Sequence, residues 1–145
     1  MTLHLIKLCV GAESIADLEA WIAERMVERR LRGEVQRHAH VTRMVPKRAE
    51  DLVGGGSLYW VIKGLISARQ RLLEIEPFVD AAGIGRCRLW LEPKVVAVAP
   101  RPMRAFQGWR YFAERDAPLD LEAAGAGAAA MPEELRRTLG ELGLL

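Results

Sequence analysis

The sequence has only two cysteines, no long apolar run and almost no excess of charge. Cys9 and Cys87 each lie within an apolar stretch, which favours two buried free thiols over a disulfide. No stretch approaches the roughly 20 apolar residues that a membrane-spanning helix needs. The N-terminus shows neither a basic leader nor a cleavage site, so a secretory signal is not expected. Together these absences predict a cytoplasmic protein without a membrane partner.

The charge of the chain is nearly balanced, with 21 Lys and Arg against 19 Asp and Glu. The resulting net charge of +2 is too small to indicate nucleic-acid binding by itself. The distribution is uneven, because residues 63–110 hold nine basic and four acidic side chains, whereas residues 114–145 are net acidic. A basic middle is compatible with a phosphate-bearing partner and equally with a solvated face of a sheet.

The sequence also lacks the spacings that identify a metal site, a nucleophile or a phosphate-binding loop. His38 and His40 have no cysteine or carboxylate pattern beside them, and His4 is remote from both. Neither cysteine follows a helix start that would lower its pKa. The glycines at 54–56 precede a strand, whereas a phosphate-binding loop leads into a helix and carries a lysine. The sequence therefore predicts no metal, no cofactor and no catalytic residue.

The pattern that is present is a helix followed mainly by strands. Ile15, Leu18, Ile22 and Met26 recur at helical spacing and predict a helix over about 14–31. Strands are predicted at 3–10, 40–45, 57–66, 68–79, 86–98 and 106–112, with two helical turns at 47–53. This order predicts an α+β domain with a curled mixed or antiparallel sheet, or a partial barrel, packed by the long N-terminal helix.

The domain is predicted to occupy residues 1–121. Residues 122–131 are rich in Ala and Gly and are predicted to form a mobile linker. Residues 132–145 are predicted to form a short, loosely packed C-terminal helix, with Leu135, Leu139 and Leu142 on one side.

The segments 68–79 and 86–98 predict a hairpin whose register follows from its side chains, because a shift of one residue would exchange the two faces. The predicted pairs are Leu73 with Leu91, Glu74 with Trp90, Ile75 with Leu89, Glu76 with Arg88 and Pro77 with Cys87. This register places Arg69 and Arg71 on the inward face, together with Leu73 and Ile75.

The segment 57–66 is apolar on both faces and is predicted to lie inside the sheet. Lys63 is the exception, because a charge on a covered strand needs either an ion-pair partner or access to a cavity.

A group of basic, amide and aromatic residues is the candidate ligand-binding site. Its guanidinium groups suit a phosphate, and its aromatic rings suit a stacked base. The group comprises Lys63, Arg69, Gln70, Arg71, Gln107, Trp109, Arg110 and Tyr111. The alternative is that Trp109 and Tyr111 are core residues and that Arg69 and Arg71 form ion pairs with acidic residues.

Five stretches of the chain resemble a bacterial family of uncharacterised proteins, domain of unknown function 1489. They are LHLIKLCVG (3–11), HVTRMVPKR (40–48), GGSLYWVIKG (55–64), ARQRLL (68–73) and FQGWRY (106–111). The resemblance covers about residues 3–121 and implies family membership, but no activity and no catalytic residues.

The β-rich middle and the segment 108–121 also faintly resemble PUA-like barrels of the ASCH and EVE kind. That resemblance implies binding of RNA or of a modified base in an aromatic pocket.

Three functions remain open at this point. The first is an RNA- or nucleotide-binding module, with the basic residues of the group on phosphate and Trp109 or Tyr111 on a base. The second is an enzyme that acts on a phosphorylated small molecule, with His40 as its general base. The third is a structural or assembly partner that uses the C-terminal helix.

Overall fold

The computed structural model describes residues 2–124 and 131–143. Its elements, in chain order, are β1 (Leu3–Leu8), α1 (Ile15–Leu31), β2 (His38–Thr42), α2 (Ala49–Val53), β3 (Ser57–Ile62), β4 (Leu65–Val79), β5 (Gly85–Leu91), β6 (Val96–Pro102), β7 (Trp109–Ala113), a 3₁₀ turn (Glu114–Asp116), α3 (Leu121–Ala124) and α4 (Glu133–Glu141). No helix within the described residues is long and apolar enough to cross a membrane.

The strands form one mixed, open sheet in the order β2-β5-β4-β3-β1-β7. β1 and β3 are parallel, and the other neighbours are antiparallel. β6 pairs with the first part of β4, and β5 pairs with its second part. The predicted α+β class with a mixed sheet is confirmed.

Helix α1 begins and packs as its sequence predicts. The Ser14 hydroxyl accepts a hydrogen bond from the Asp17 amide at 3.1 Å and caps the first turn. One side of the helix is buried through Ile15, Leu18, Ile22 and Met26. Burial of such side chains contributes about 1.5–3 kcal/mol each. This packing fixes α1 against one face of the sheet.

The sheet has two different faces. The face toward α1, called the α1 face, is built around Leu5, Leu58, Trp60, Leu72 and Leu89. The opposite face, called the second face, carries a separate apolar cluster that includes Ile6, Tyr59, Val61, Phe106 and Phe112. Because side chains alternate along a strand, neighbouring residues of β3 belong to different cores.

The continuous strand predicted at 57–66 is wrong, because the chain reverses at Lys63 and Gly64. Both residues have positive φ, 48° and 75°, as the two central residues of a type I′ hairpin turn require. The Lys63 side chain is 55% exposed, and its Nζ lies 3.6 Å from the Glu13 carboxylate. Lys63 is therefore a turn residue and not a charge buried in the sheet.

The predicted register of the β4–β5 hairpin is confirmed for four of its five pairs, from Glu74–Trp90 to Pro77–Cys87. The fifth pair is wrong, because Leu72, and not Leu73, lies opposite Leu91. The register shifts between Leu72 and Glu74, so Leu73 is an extra residue and is 42% exposed. This bulge reverses the alternation before it and moves Arg69 and Arg71 from the predicted inward face to the second face.

Two further strand boundaries differ from the prediction. β2 ends at Thr42 and not at residue 45, and the segment 86–98 divides into β5 and β6. β6 also runs through Pro100 and Pro102, past the predicted end of the strand at residue 98. Within the described residues β6 pairs in the sheet with β4, and its other side carries an isolated bridge from Val98 to Asp120. Proline is tolerated on such an edge strand, because a missing N–H need not interrupt a ladder there.

Helix α4 confirms the predicted C-terminal helix but packs with a different side. Leu135 and Leu142 are 46% and 65% exposed, whereas Gly140 is buried, facing the ring of Pro100. Arg137 donates to the carbonyl oxygens of Ile62 at 2.6 Å and of Lys63 at 3.0 Å. The helix is therefore held on the β3–β4 turn by polar contacts. Residues 125–130 of the predicted linker lie outside the described residues.

Candidate functional site

The eight candidate residues lie in separate places. Lys63 occupies the β3–β4 turn. Gln70 lies on the α1 face and is fully buried. Its side chain accepts from Trp60 Nε1 at 2.9 Å and donates to the Glu92 carbonyl at 2.9 Å. Gln70 therefore satisfies buried polar groups, and it is not directed toward a cleft.

The aromatic residues of β7 hold a neighbouring loop. Trp109 Nε1 donates to the Met44 carbonyl at 2.8 Å. The Tyr111 hydroxyl accepts from the amides of Lys47 at 2.9 Å and Arg48 at 3.2 Å. Both side chains thus anchor the loop between β2 and α2, but Tyr111 is 39% exposed and is not the core residue that the alternative expected.

Arg110 and Gln107 lie apart from Arg69 and Arg71. The Arg110 guanidinium stacks on the Phe106 ring at 4.4 Å, and Gln107 is exposed in the bend before β7. Arg110 lies opposite Ile6, in the same row of the sheet as Arg69. Arg110 and Arg69 are therefore three strand spacings, roughly 14 Å, apart. The apolar cluster of the second face lies between them.

Arg69 and Arg71 stand together on the second face, in a groove that the remaining candidates do not reach. Arg71 lies opposite Ser57, and Arg69 lies opposite Tyr59 on β3 and Val96 on β6. Three adjoining hollows all have Arg69 in their walls. We call this continuous depression the basic groove.

Arg69 is fixed at the centre of the basic groove. Its Nε and one terminal nitrogen both donate to the Asp120 carboxylate at 2.8 Å, and the other terminal nitrogen donates to Ser57 Oγ at 3.0 Å. This forked pair holds the pKa of Asp120 below its usual value and raises the pKa of Arg69. Asp120 is itself positioned by a bridge between its backbone and Val98 of β6.

The central hollow of the groove, about 430 Å³ in volume, is the most basic part. Arg69, Arg71 and Lys94 line it, and Glu92 is its acidic residue. Neither Arg71 nor Lys94 forms an ion pair with any carboxylate of residues 2–124 and 131–143. Two cations that pair with no carboxylate of the described residues therefore face the same space.

A hollow of about 320 Å³ continues the groove toward β1 and contains His4 and Glu114. The His4 ring is nearly buried, and its Nδ1 accepts from the Ser57 amide at 2.9 Å. Its Nε2 lies 3.0 Å from Glu114 Oε2. Burial lowers the pKa of His4, although Glu114 opposes the shift. Burial also raises the pKa of the Tyr59 hydroxyl, which lines the same hollow.

His40, the candidate general base, lies on the other side of the sheet from the groove. Its ring packs edge-on against Trp60 at 5.0 Å, and its β5 partner Leu89 belongs to the α1 core. Burial lowers the pKa of His40 to about 4. His40 therefore has no access to a ligand held by Arg69 and Arg71. Among residues 2–124 and 131–143, no three His, Cys, Asp or Glu side chains come close enough to hold a metal ion.

Sequence reasoning missed several residues of the groove. These are His4, Ser57, Lys94, Glu114, Asp120 and Arg136. Of these residues, Lys94 belongs to the basic stretch 63–110, so the charge distribution of the sequence could have indicated it. No sequence spacing indicates that residues near 4, 57, 69 and 120 meet, because the parallel β1–β3 pairing and the segment after β7 bring them together.

The comparisons with known proteins identify the family. The family model described as "Protein of unknown function (DUF1489)" matches residues 5–145. The chain belongs to this family.

The match confirms the predicted membership and extends past residue 121 to the end of the chain, so the DUF1489 region includes α4. No curated protein and no solved structure matches this DUF1489 chain. The resemblance to PUA-like barrels therefore has no support among solved structures, and the sheet of this DUF1489 protein is open.

Proposed function

We propose that this protein binds a small phosphate-bearing ligand of the nucleotide type in the basic groove. The observation that carries this proposal is the central hollow, which we call the phosphate end. Arg71 and Lys94 face this hollow together with Arg69, and they have no ion-pair partners among the described residues. Guanidinium and ammonium groups suit phosphate oxygens, and each such charged hydrogen bond contributes about 1.5–3 kcal/mol. The volume of the hollow also lies in the range of small-ligand sites, roughly 300–1,000 Å³.

A small ligand fits the groove better than a strand of RNA. Among residues 2–124 and 131–143, none of those lining the phosphate end is aromatic. Sequence-tolerant binding of single-stranded RNA relies on aromatic rings that stack the bases. Trp109 and Tyr111 are engaged with the loop of residues 44–48, and they lie on the α1 face, on the opposite side of the sheet from Arg69.

Isothermal titration calorimetry with inorganic phosphate and AMP tests the proposal. Arg71→Ala and Lys94→Ala should each weaken binding about tenfold, because each removes one charged contact. Arg110→Ala is the matched control, since Arg110 is exposed on the same face but outside the groove, and it should leave the affinity unchanged. Binding that survives the combined Arg71→Ala and Lys94→Ala change would contradict the proposal.

Titration with an RNA oligonucleotide tests the alternative that the protein binds RNA through β7. If RNA binds with a steep dependence on salt and Arg110→Ala weakens it more than Arg71→Ala does, the interface is β7 and not the groove.

We also propose a cytoplasmic location, because Cys9 and Cys87 are both free thiols, as a reducing compartment keeps them. Recovery of the protein from a membrane or extracellular fraction of its cells would contradict this.

A further inference from the structure

The basic groove continues past Arg69 to a second end of opposite polarity. The hollow that contains Glu114 shares Gly55, Ser57 and Arg69 with the phosphate end. The two hollows therefore adjoin along Arg69 and the Ser57 hydroxyl that it contacts, so one ligand can extend from one hollow into the other. The side chains at the Glu114 end determine which chemical group of a ligand can bind there.

The Glu114 carboxylate is held in place by a histidine of fixed tautomer. His4 Nδ1 accepts from the Ser57 amide, so the ring proton is on Nε2 and is donated to Glu114 Oε2 at 3.0 Å. The lowered pKa of His4 is consistent with a neutral ring in this arrangement. One oxygen of Glu114 is thus oriented by the protein, whereas the side chain is 63% exposed and its other oxygen is free to accept from a ligand.

The register of the sheet gives the separation of the two ends. His4 lies beside Ser57, and Ser57 lies opposite Arg71. The backbones of His4 and Arg71 are therefore two strand spacings apart, roughly 10 Å. A phosphate at Arg71 leaves the next few atoms of the same ligand within reach of Glu114.

A carboxylate in this position selects hydroxyl groups. Acidic side chains accept hydrogen bonds from sugar diols, as they do from the ribose of bound dinucleotides. An ammonium group would also suit Glu114, but it would lie beside the guanidinium of Arg69 in a groove that Arg71 and Lys94 make basic. We propose that the groove binds a sugar phosphate, with the phosphate at Arg71 and Lys94 and a sugar diol at Glu114. This inference rests on the proposed function and specifies the ligand class of the same site.

Three probes separate the inference from the function on which it rests. Inorganic phosphate reports on the phosphate end alone, whereas ribose 5-phosphate and 2-deoxyribose 5-phosphate differ by one hydroxyl. The intact protein should bind ribose 5-phosphate about tenfold more tightly than the deoxy compound. Glu114→Gln should reduce that ratio to near one and leave phosphate binding unchanged, because the amide oxygen still accepts from His4. Glu50→Gln, a change of an exposed carboxylate on α2, should preserve the ratio.

The outcomes are distinguishable. Equal affinity of the intact protein for the two sugar phosphates, or a ratio that survives Glu114→Gln, overturns the diol site while phosphate binding stands. If inorganic phosphate and both sugar phosphates fail to bind, the result contradicts the proposed function and the diol site together. Circular dichroism of each variant verifies that it is folded, and His4→Gln, which removes the aromatic ring that orients Glu114, should also lower the ratio.

Discussion

Gly56 lies where the end of α2 meets the start of β1. Its amide donates to the Leu52 carbonyl at 2.8 Å, and a Cβ at this position would collide with the carbonyl oxygens of Leu3 and Leu52. The backbone oxygens cannot move aside without breaking the strand and the helix end. Glycine is therefore required by close backbone approach, and no phosphate-binding role is needed to explain it.

Gly56→Ala should lower the free energy of unfolding by about 3 kcal/mol, as overpacking at a rigid position does. Urea denaturation measures the change. Gly85→Ala is the matched control, because an added Cβ there meets no atom within 4 Å. Equal stability of the two variants would contradict the close packing at Gly56.

His38 and His40 make the stability of the protein depend on pH. Burial lowers both pKa values from 6.5 to about 4. Between these values the unfolded chain binds protons that the folded protein excludes, so stability falls as pH decreases from 6.5 toward 4. For each histidine the slope is about 0.7 kcal/mol per pH unit at pH 6.5 and approaches about 1.4 kcal/mol per pH unit midway between the two pKa values.

NMR titration of the imidazole protons tests this prediction together with urea denaturation at pH 6.5 and 5.5. We expect neither His38 nor His40 to titrate above pH 5 in the folded protein. Titration of both rings near pH 6.5, with a stability that does not change over this range, would show that they are not buried as described.

Helix α4 is an integral element of the fold and not a loosely tethered tail. Arg137 donates to Ser67 Oγ and to two carbonyl groups of the β3–β4 turn. At the other end of α4, the Glu133 carboxylate accepts from the Ile15 amide at 2.8 Å, at the start of α1. The helix therefore joins the β3–β4 turn to the first turn of α1.

Arg137→Ala should destabilise the protein by about 2–3 kcal/mol, because it leaves carbonyl groups of the turn without a charged donor. Leu135→Ala, a change on the exposed side of the same helix, should stay within about 0.5 kcal/mol. Thermal or urea denaturation measures both. The opposite order would indicate that the leucines form the packing side of α4.

Helices and strands with a local sequence pattern were easier to predict than turns and bulges that leave no such pattern. The apolar spacing of α1 and the paired side chains of β4 and β5 are local patterns. The helix was predicted correctly, and so were four of the five β4–β5 pairs. The turn at Lys63–Gly64 was missed because it interrupts a run of apolar residues and lacks the common Asn-Gly or Asp-Gly pair. The bulge at Leu73 was missed because an extra apolar residue leaves no trace in an apolar segment.

The same bulge determines which face of the sheet carries Arg69 and Arg71. They were expected on the inward face, and the extra residue places them on the second face. Their partners Ser57, Lys94 and Asp120 come from three other segments of the chain. Such a site depends on the whole topology, which spacing in the sequence does not contain.

The two faces of the sheet differ in what they carry: one forms the larger core, and the other holds the basic groove. The α1 face forms the larger core, which buries His38 and Gln70 and half-buries His40, whereas the second face carries the basic groove. The groove is open to solvent at the phosphate end without any rearrangement of α1. Binding should therefore shift signals of the second face and leave the histidines of the α1 face unchanged.

Mapping of backbone amide shifts during a titration with inorganic phosphate tests the central claim most directly. We predict that the largest shifts fall on residues 55–57, 69–71 and 92–96, and that they disappear in the combined Arg71→Ala and Lys94→Ala variant. Shifts concentrated at residues 106–111, or no saturable shifts at all, would contradict a phosphate site in the basic groove.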